Sequence, residues 1–232
     1  MPMTRPCRSA NQVPARAVQL TLAAVLVVGL LGSAASGSAP SPLGASARAV
    51  VTCYEGEVLY LTGSADVSVG VANTRCGRVV LAGDNATVTL PETTQLDVTG
   101  SGNTVIGTGA GLGVIHLEGD DSTVRATRIS GVYITGDGNR ATAQRGGFAG
   151  AHGRQNVLRY GRLETMALRG DRNDGRAATC GATRVQGDRN KVVHGRLKVL
   201  LLSGNRNLVT VADGRVRVAA SGTGNVLRLR RR

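Results

Sequence analysis

Two sets of arginines carry the strongest chemical signal in this chain. Arg128, Arg145 and Arg162 recur every 17 residues, with Arg196 two periods further on, and Arg172, Arg189 and Arg206 recur at the same interval. A guanidinium is always charged and presents a planar fork of donors that fits carboxylate and phosphate. If 17 residues make one structural layer, each set becomes a row of cations. Such a row would hold an anionic cell-wall polymer, acidic lipid head groups or nucleic acid. The competing reading is surface cover, because arginine lies over sheets and keeps them soluble. The terminal Leu227-Arg-Leu-Arg-Arg-Arg232 likewise reads as a charged edge that blocks end-to-end polymerisation.

Other chemistry is thin. No HExxH, G-x-S-x-G or paired-cysteine metal motif occurs, so no catalytic, cofactor-binding or metal-binding residue is assigned. His116, His152 and His194 fall in different repeats, and the inward parity of His194 suits a core or turn residue better than a base. Gly-Asp-Gly-Asn139 and Gly-Asp-Asp121 are fragments of calcium-loop sequence without the full nonapeptide. Polysaccharide-cleaving β-helices combine acids and cations with aromatic platforms. This chain has Asp and Arg columns but one Phe, four Tyr and no Trp.

The elements that must position the arginines follow from a glycine period. Gly119, Gly136, Gly153, Gly170, Gly187 and Gly204 are each 17 apart, and Gly63, Gly83, Gly100 and Gly222 extend the series. Most open a G-x-x-N turn, giving a column at Asn103, Asn139, Asn156, Asn173, Asn190, Asn207 and Asn225. Positions two and four before the glycine and five after it are apolar, as at Leu168, Met166 and Leu158. Charged residues stand between them. Alternation with period two on both sides of the turn is a strand signal. Each unit is therefore strand, G-x-x-N turn, strand and a second turn marked by Gly161-Arg162, Gly195-Arg196 and Gly214-Arg215.

A single unit cannot bury its own apolar side, so units must stack. The expected fold is an all-β, single-domain parallel β-solenoid (β-helix) of about ten coils, about 4.8 Å per layer and roughly 43 Å long. An antiparallel meander is the alternative, but the identical orientation of every unit argues against it. The inward asparagines predict a structural ladder bonding one another and the turn backbone. Departures at Gln144-Arg-Gly-Gly-Phe148 and at Gly175 predict a local irregularity or a lateral loop.

Residues 1–47 stand apart. Arg5, Arg8 and Arg16 precede a 15-residue apolar run, Ala17 to Leu31, and then small residues, the pattern of a signal peptide with a flexible segment. The run is short for a spanning helix, though an uncleaved anchor is the alternative. The solenoid is then assigned to 48–232, and the expected location is secreted or envelope-associated. Nucleic acid is the least expected partner there. Export allows disulfides. Cys53 and Cys76 fall on adjacent layers, so a bridge between them would clamp the N-terminal end. Cys180 shares the repeat position of Cys76 but lies six layers away, roughly 29 Å, too far to bond. It is left as a buried small residue or an intermolecular bridge. Charge is split: residues 48–139 carry five Arg against ten acids, a net of −5, and residues 140–232 carry 20 Arg and Lys against five acids, a net of +15.

The units Val98-Thr-Gly-Ser-Gly-Asn-Thr-Val105, Val185-Gln-Gly-Asp-Arg-Asn-Lys-Val192 and Leu202-Ser-Gly-Asn-Arg-Asn-Leu-Val209, with the early Cys53…Cys76-Gly77 pair, resemble a family of secreted actinobacterial proteins. It is known as domain of unknown function 3060. The resemblance covers about residues 50–229. It implies an exported repetitive β protein of the envelope and lends no activity or catalytic residue. The expected function is that of a non-enzymatic structural or binding protein, its stacked arginines holding anionic polymer or lipid. The alternatives are a carbohydrate-active β-helix enzyme and a self-assembling scaffold pairing head to tail through its acidic and basic halves.

Overall fold

The computed structural model describes residues 49–64, 66–71 and 75–230. The signal segment expected at 1–47 lies outside the described residues, as do Arg231 and Arg232. Every regular element among the described residues is a β-strand, and every pairing between strands is parallel. The chain is a β-solenoid of about ten coils.

Its regular part is built from Thr123–Thr135, Arg140–His152, Val157–Arg169, Asp174–Gln186 and Lys191–Ser203, strands of 13 residues each. Four-residue G-x-x-N turns join them and complete the 17-residue period, so that Arg140 pairs with Val157 and Val157 with Asp174. Within Val157–Arg169 the residues Leu158, Tyr160, Leu163, Met166 and Leu168 are buried, while Arg159, Arg162, Glu164 and Arg169 are exposed. Inward residues recur at intervals of two, three, three and two. The extra residues are Gly161 and Glu164, which the pairing ladder skips. The strand bends at each, which divides the coil into three sides around one core.

This corrects the expected second turn. In the five regular coils the strand runs through that corner without leaving β conformation. A Cβ at Gly161 would come within 2.6 Å of the Gln144 carbonyl oxygen one layer below, yet Gln144 and Ala178 hold the same place in neighbouring coils, so no turn requires glycine there. True breaks occur only toward the ends. Thr87–Leu90 is parted from Thr93–Thr99 at Pro91, which has no N–H to give a ladder. Leu208–Asp213 is parted from Arg217–Ser221 around Gly214.

The irregularities expected at Gln144–Phe148 and Gly175 are also absent. Arg145 and Phe148 pair in register with Arg128 and Gly131, and Gly175 pairs with Leu158 and Val192. Side chains from other columns occupy the space the glycines leave. Met166 Sδ lies where a Gly175 Cβ would stand, and Tyr160 lies 2.7 Å from the Cβ position of Gly146. The core stays packed because volume is conserved across the coil rather than within a column.

Cys53 and Cys76 are disulfide-bonded with Cα atoms 5.6 Å apart across a separation of 23 residues, and both are buried. Closing that loop restricts the unfolded chain and is expected to contribute about 3 kcal/mol or slightly more. Each coil rests only on its neighbours, so the effect should be local. Hydrogen exchange on the Cys53→Ala/Cys76→Ala protein should show faster exchange in strands Ala49–Cys53 and Cys76–Ala82, with 157–203 unchanged. Uniform deprotection of the whole rod would contradict the nearest-neighbour picture.

Candidate functional site

The G-x-x-N turns stack into one edge of the solenoid, and the backbone decides which residues they accept. Gly153 has φ +138°, and a Cβ there would strike the carbonyl oxygen of Gly136 in the layer before. Both conditions demand glycine. Three residues on, Asn156 turns inward and is fully buried. Its Nδ2 donates to the Gly136 carbonyl at 2.8 Å, and its Oδ1 accepts the Asn139 N–H at 3.0 Å. Asn103, Asn139, Asn173, Asn190, Asn207 and Asn225 repeat the arrangement. Each asparagine therefore clamps the backbone of the preceding turn. Among the described residues, the one contact between two ladder side chains is Asn207 Nδ2 to Asn225 Oδ1 at 3.1 Å, so the expected mutual bonding is mostly replaced by bonding to backbone.

A second ladder, which the sequence reading did not assign, runs one residue after most of the repeat glycines and is interrupted at Arg154. Asp84, Asp120, Asp137, Asp171 and Asp188 each accept, through Oδ1, the backbone N–H of the matching residue in the next layer, at 2.6–2.8 Å. Asn205 does the same for Thr223, and the Ser101 hydroxyl serves Asp120. The signal was present as a column of Asp, Asn and Ser. Its meaning depended on which atom meets the next amide.

Arg172, Arg189 and Arg206 follow at the next position, with φ of 57°, 56° and 55°. This left-handed conformation costs a non-glycine residue roughly 1 kcal/mol. Gly102, Gly138 and Gly224 occupy the same place in other turns. All three arginines are exposed; their backbone N–H groups donate to the next layer, and none of their guanidinium groups has an ion pair among the described residues. With Arg154, Asp171, Asp188 and Asn205 they line a cleft of about 480 Å³. This row is therefore mixed in charge.

The other row lies at the bend that follows the first side of the coil. Arg128, Arg145 and Arg162 pair in direct succession, all exposed and without ion pairs among the described residues. Arg125 and Arg159, three residues earlier on the flanking strands, widen the patch. Arg196 does not extend it. Thr179 stands between Arg162 and Arg196, and the Arg196 Nε donates to Asp213 Oδ2 at 3.2 Å. The contiguous row is three arginines long, because the next layer lacks a cation and the one after is neutralised.

Two buried side-chain atoms lack a hydrogen-bond partner among the described residues, the Tyr160 hydroxyl and His194 Nδ1. Thr183 Oγ1 lies 2.9 Å from His194 Nε2 and 3.4 Å from the thiol of Cys180. His194 is 1% exposed, its Nδ1 has no hydrogen-bond partner, and burial pushes its imidazole down to about 4, outweighing a smaller opposite effect of the Ala177 backbone. Cys180 is free and buried, and desolvation pushes its thiol up. A neutral thiol inside the wall is poorly placed for the intermolecular bridge.

Identical turns stacked in parallel, with charge displayed in rows outside and an asparagine ladder within, define a parallel β-solenoid repeat protein. Residues 168–224, which hold the repeat glycines Gly170, Gly187, Gly204 and Gly222, match the family model described as protein of unknown function, DUF3060. The match supports the resemblance read from the motifs. No curated protein and no solved structure matches the chain.

Proposed function

We propose that this is an exported, non-enzymatic binding and structural protein of the cell envelope, holding an anionic polymer or acidic lipid surface against its arginine face. The observation that carries the reading is the contiguous row Arg128, Arg145, Arg162 with Arg125 and Arg159 beside it. Five exposed cations without ion pairs among the described residues lie on a rigid surface at one layer per about 4.8 Å. Like charges at that spacing repel, and a multivalent anion relieves the repulsion. The buried disulfide fits an oxidising compartment. No helix among the described residues is long and apolar enough to cross a membrane.

The test is retention of the purified protein on cell-wall polymer, on anionic vesicles and on DNA across a salt series. Retention by one class should fall steeply as the Debye length shrinks from about 30 Å at 0.01 M to about 8 Å at 0.15 M. Arg128→Glu/Arg145→Glu/Arg162→Glu should weaken it at least tenfold, at about 0.5 kcal/mol or more per reversed charge. Salt-insensitive retention, or none, overturns the reading.

One observation favours the carbohydrate-active alternative. His116, Tyr133 and Phe148 form an outer stack with ring centroids 5.2 and 4.9 Å apart, beside Asp97. Asp97, however, accepts from Gln95 and Arg78, which leaves no free acid at that point. Release of new sugar ends from wall glycan would move this alternative to the front.

A further inference from the structure

The turn edge changes sign along its length. Its first layers display Asp84, Asp120, Asp121 and Asp137; its later layers display Arg154, Arg172, Arg189 and Arg206. The crossover falls between the Gly136 and Gly153 turns, where Arg154 Nε meets Asp137 Oδ2 at 3.3 Å. Asp171 and Asp188 also lie in the basic stretch, with Oδ1 held by the next layer's amide just as in Asp84, Asp120 and Asp137, so the later layers carry four arginines against two carboxylates. We propose that this edge is a self-complementary docking surface for a second copy of the chain, laid antiparallel and related by a two-fold axis at the crossover.

The pairing follows from the layer count. With the axis between the Gly136 and Gly153 turns, layer Gly119 of one copy faces layer Gly170 of the other, and Gly83 faces Gly204. Asp120 and Asp121 then meet the other copy's Arg172, and Asp84 meets its Arg206. The intervening layer sets Gly102 against Arg189, where a missing side chain leaves room for a long one. The two-fold repeats every pair, as an isologous interface must. Both copies share one layer spacing, so charges stay in phase along the edge. Arg172, Arg189 and Arg206 are left-handed, as are Asn85, Asp121 and Gln155 at the same place in other turns, and Arg172 and Arg206 are the two that face the partner's acids. This differs from head-to-tail stacking, which would use the ends of the rod, and it does not use Arg128, Arg145 or Arg162.

Such an interface is narrow, and exposed ion pairs are individually weak. It should be concentration-dependent and salt-sensitive. Sedimentation velocity of the purified protein, without polymer, tests it. The expected result is a dimer at about 0.01 M salt that dissociates by about 0.5 M. Arg172→Glu/Arg189→Glu/Arg206→Glu and Asp84→Arg/Asp120→Arg/Asp121→Arg should each be monomeric. Mixing the two should restore a one-to-one dimer, because a largely acidic edge then faces a largely basic one. That rescue also shows that both variants fold. A protein that is monomeric at every salt, or variants that associate as the parent does, overturns the proposal. Arg128→Glu/Arg145→Glu/Arg162→Glu should lose polymer retention and still dimerise, so the two readings fail separately.

Discussion

Replacing Asn173 with alanine is expected to cost about 4 kcal/mol and to split the rod into two cooperative units. The side chain occupies one part-buried and one buried backbone group: its Nδ2 donates to the Gly153 carbonyl at 2.9 Å and its Oδ1 accepts the Asn156 N–H at 2.9 Å. Alanine leaves both unpaired, at about 1–3 kcal/mol each. Water is a poor substitute, because Asn156 and Asn173 are fully buried. The defect sits between neighbouring coils, where a solenoid transmits its cooperativity. Urea unfolding should turn from one transition into two, with a reduced slope in each. Asn225→Ala provides the contrast. That residue is half-buried, so water can reach the groups it leaves and the loss should stay near 1 kcal/mol or below. Equal losses at both positions would show that the ladder contributes little.

Lowering the pH from 7 to 4 is expected to remove about 3 kcal/mol through His194 alone. Its ordinary value is 6.5, and burial holds it at about 4 in the folded state. Above pH 6.5 the ring is neutral whether folded or not, and its contribution is complete. Between 6.5 and 4 the unfolded chain takes up a proton that the folded chain refuses, so stability falls as pH falls, by about 1.4 kcal/mol per unit. Below 4 both states are protonated and the loss levels off. His194 is 1% exposed, so solvent screening takes little from this figure. Denaturant midpoints measured from pH 7.5 to 3.5 on the parent and on His194→Leu separate the histidine from the carboxylates. The parent should lose stability through this window and the variant much less. Identical pH profiles would show that His194 titrates normally.

Much of the architecture was legible because the period writes it twice, once in the glycines and again in the apolar columns. Gly136 and Gly153 set the turn, and Leu158, Met166 and Leu168 set which face is inward. The asparagine ladder was legible in place but not in bonding, since Asn156 reaches past its neighbour's side chain to the backbone. The second corner was not legible. A bend within β conformation needs no special residue, and Gln144, Gly161 and Ala178 all serve at that point. Compensation between columns was also hidden. Met166 occupying the space at Gly175, and Thr183 meeting His194 across the interior, join residues that no period relates. For the candidate site, the arginine spacings gave the rows. The gap at Thr179 and the neutralisation of Arg196 by Asp213 appeared only once neighbours and atoms were specified.

The direction of the asparagine clamp has a consequence for how the rod is made. Asn173 closes the Gly153 turn, Asn190 closes the Gly170 turn, and Asn207 closes the Gly187 turn. Each asparagine clamp is thus set by the coil that follows, while the aspartate ladder runs the other way, the carboxylate of one turn taking the amide of the next. A chain that folds as it is synthesised therefore closes each asparagine clamp only once the following repeat is in place.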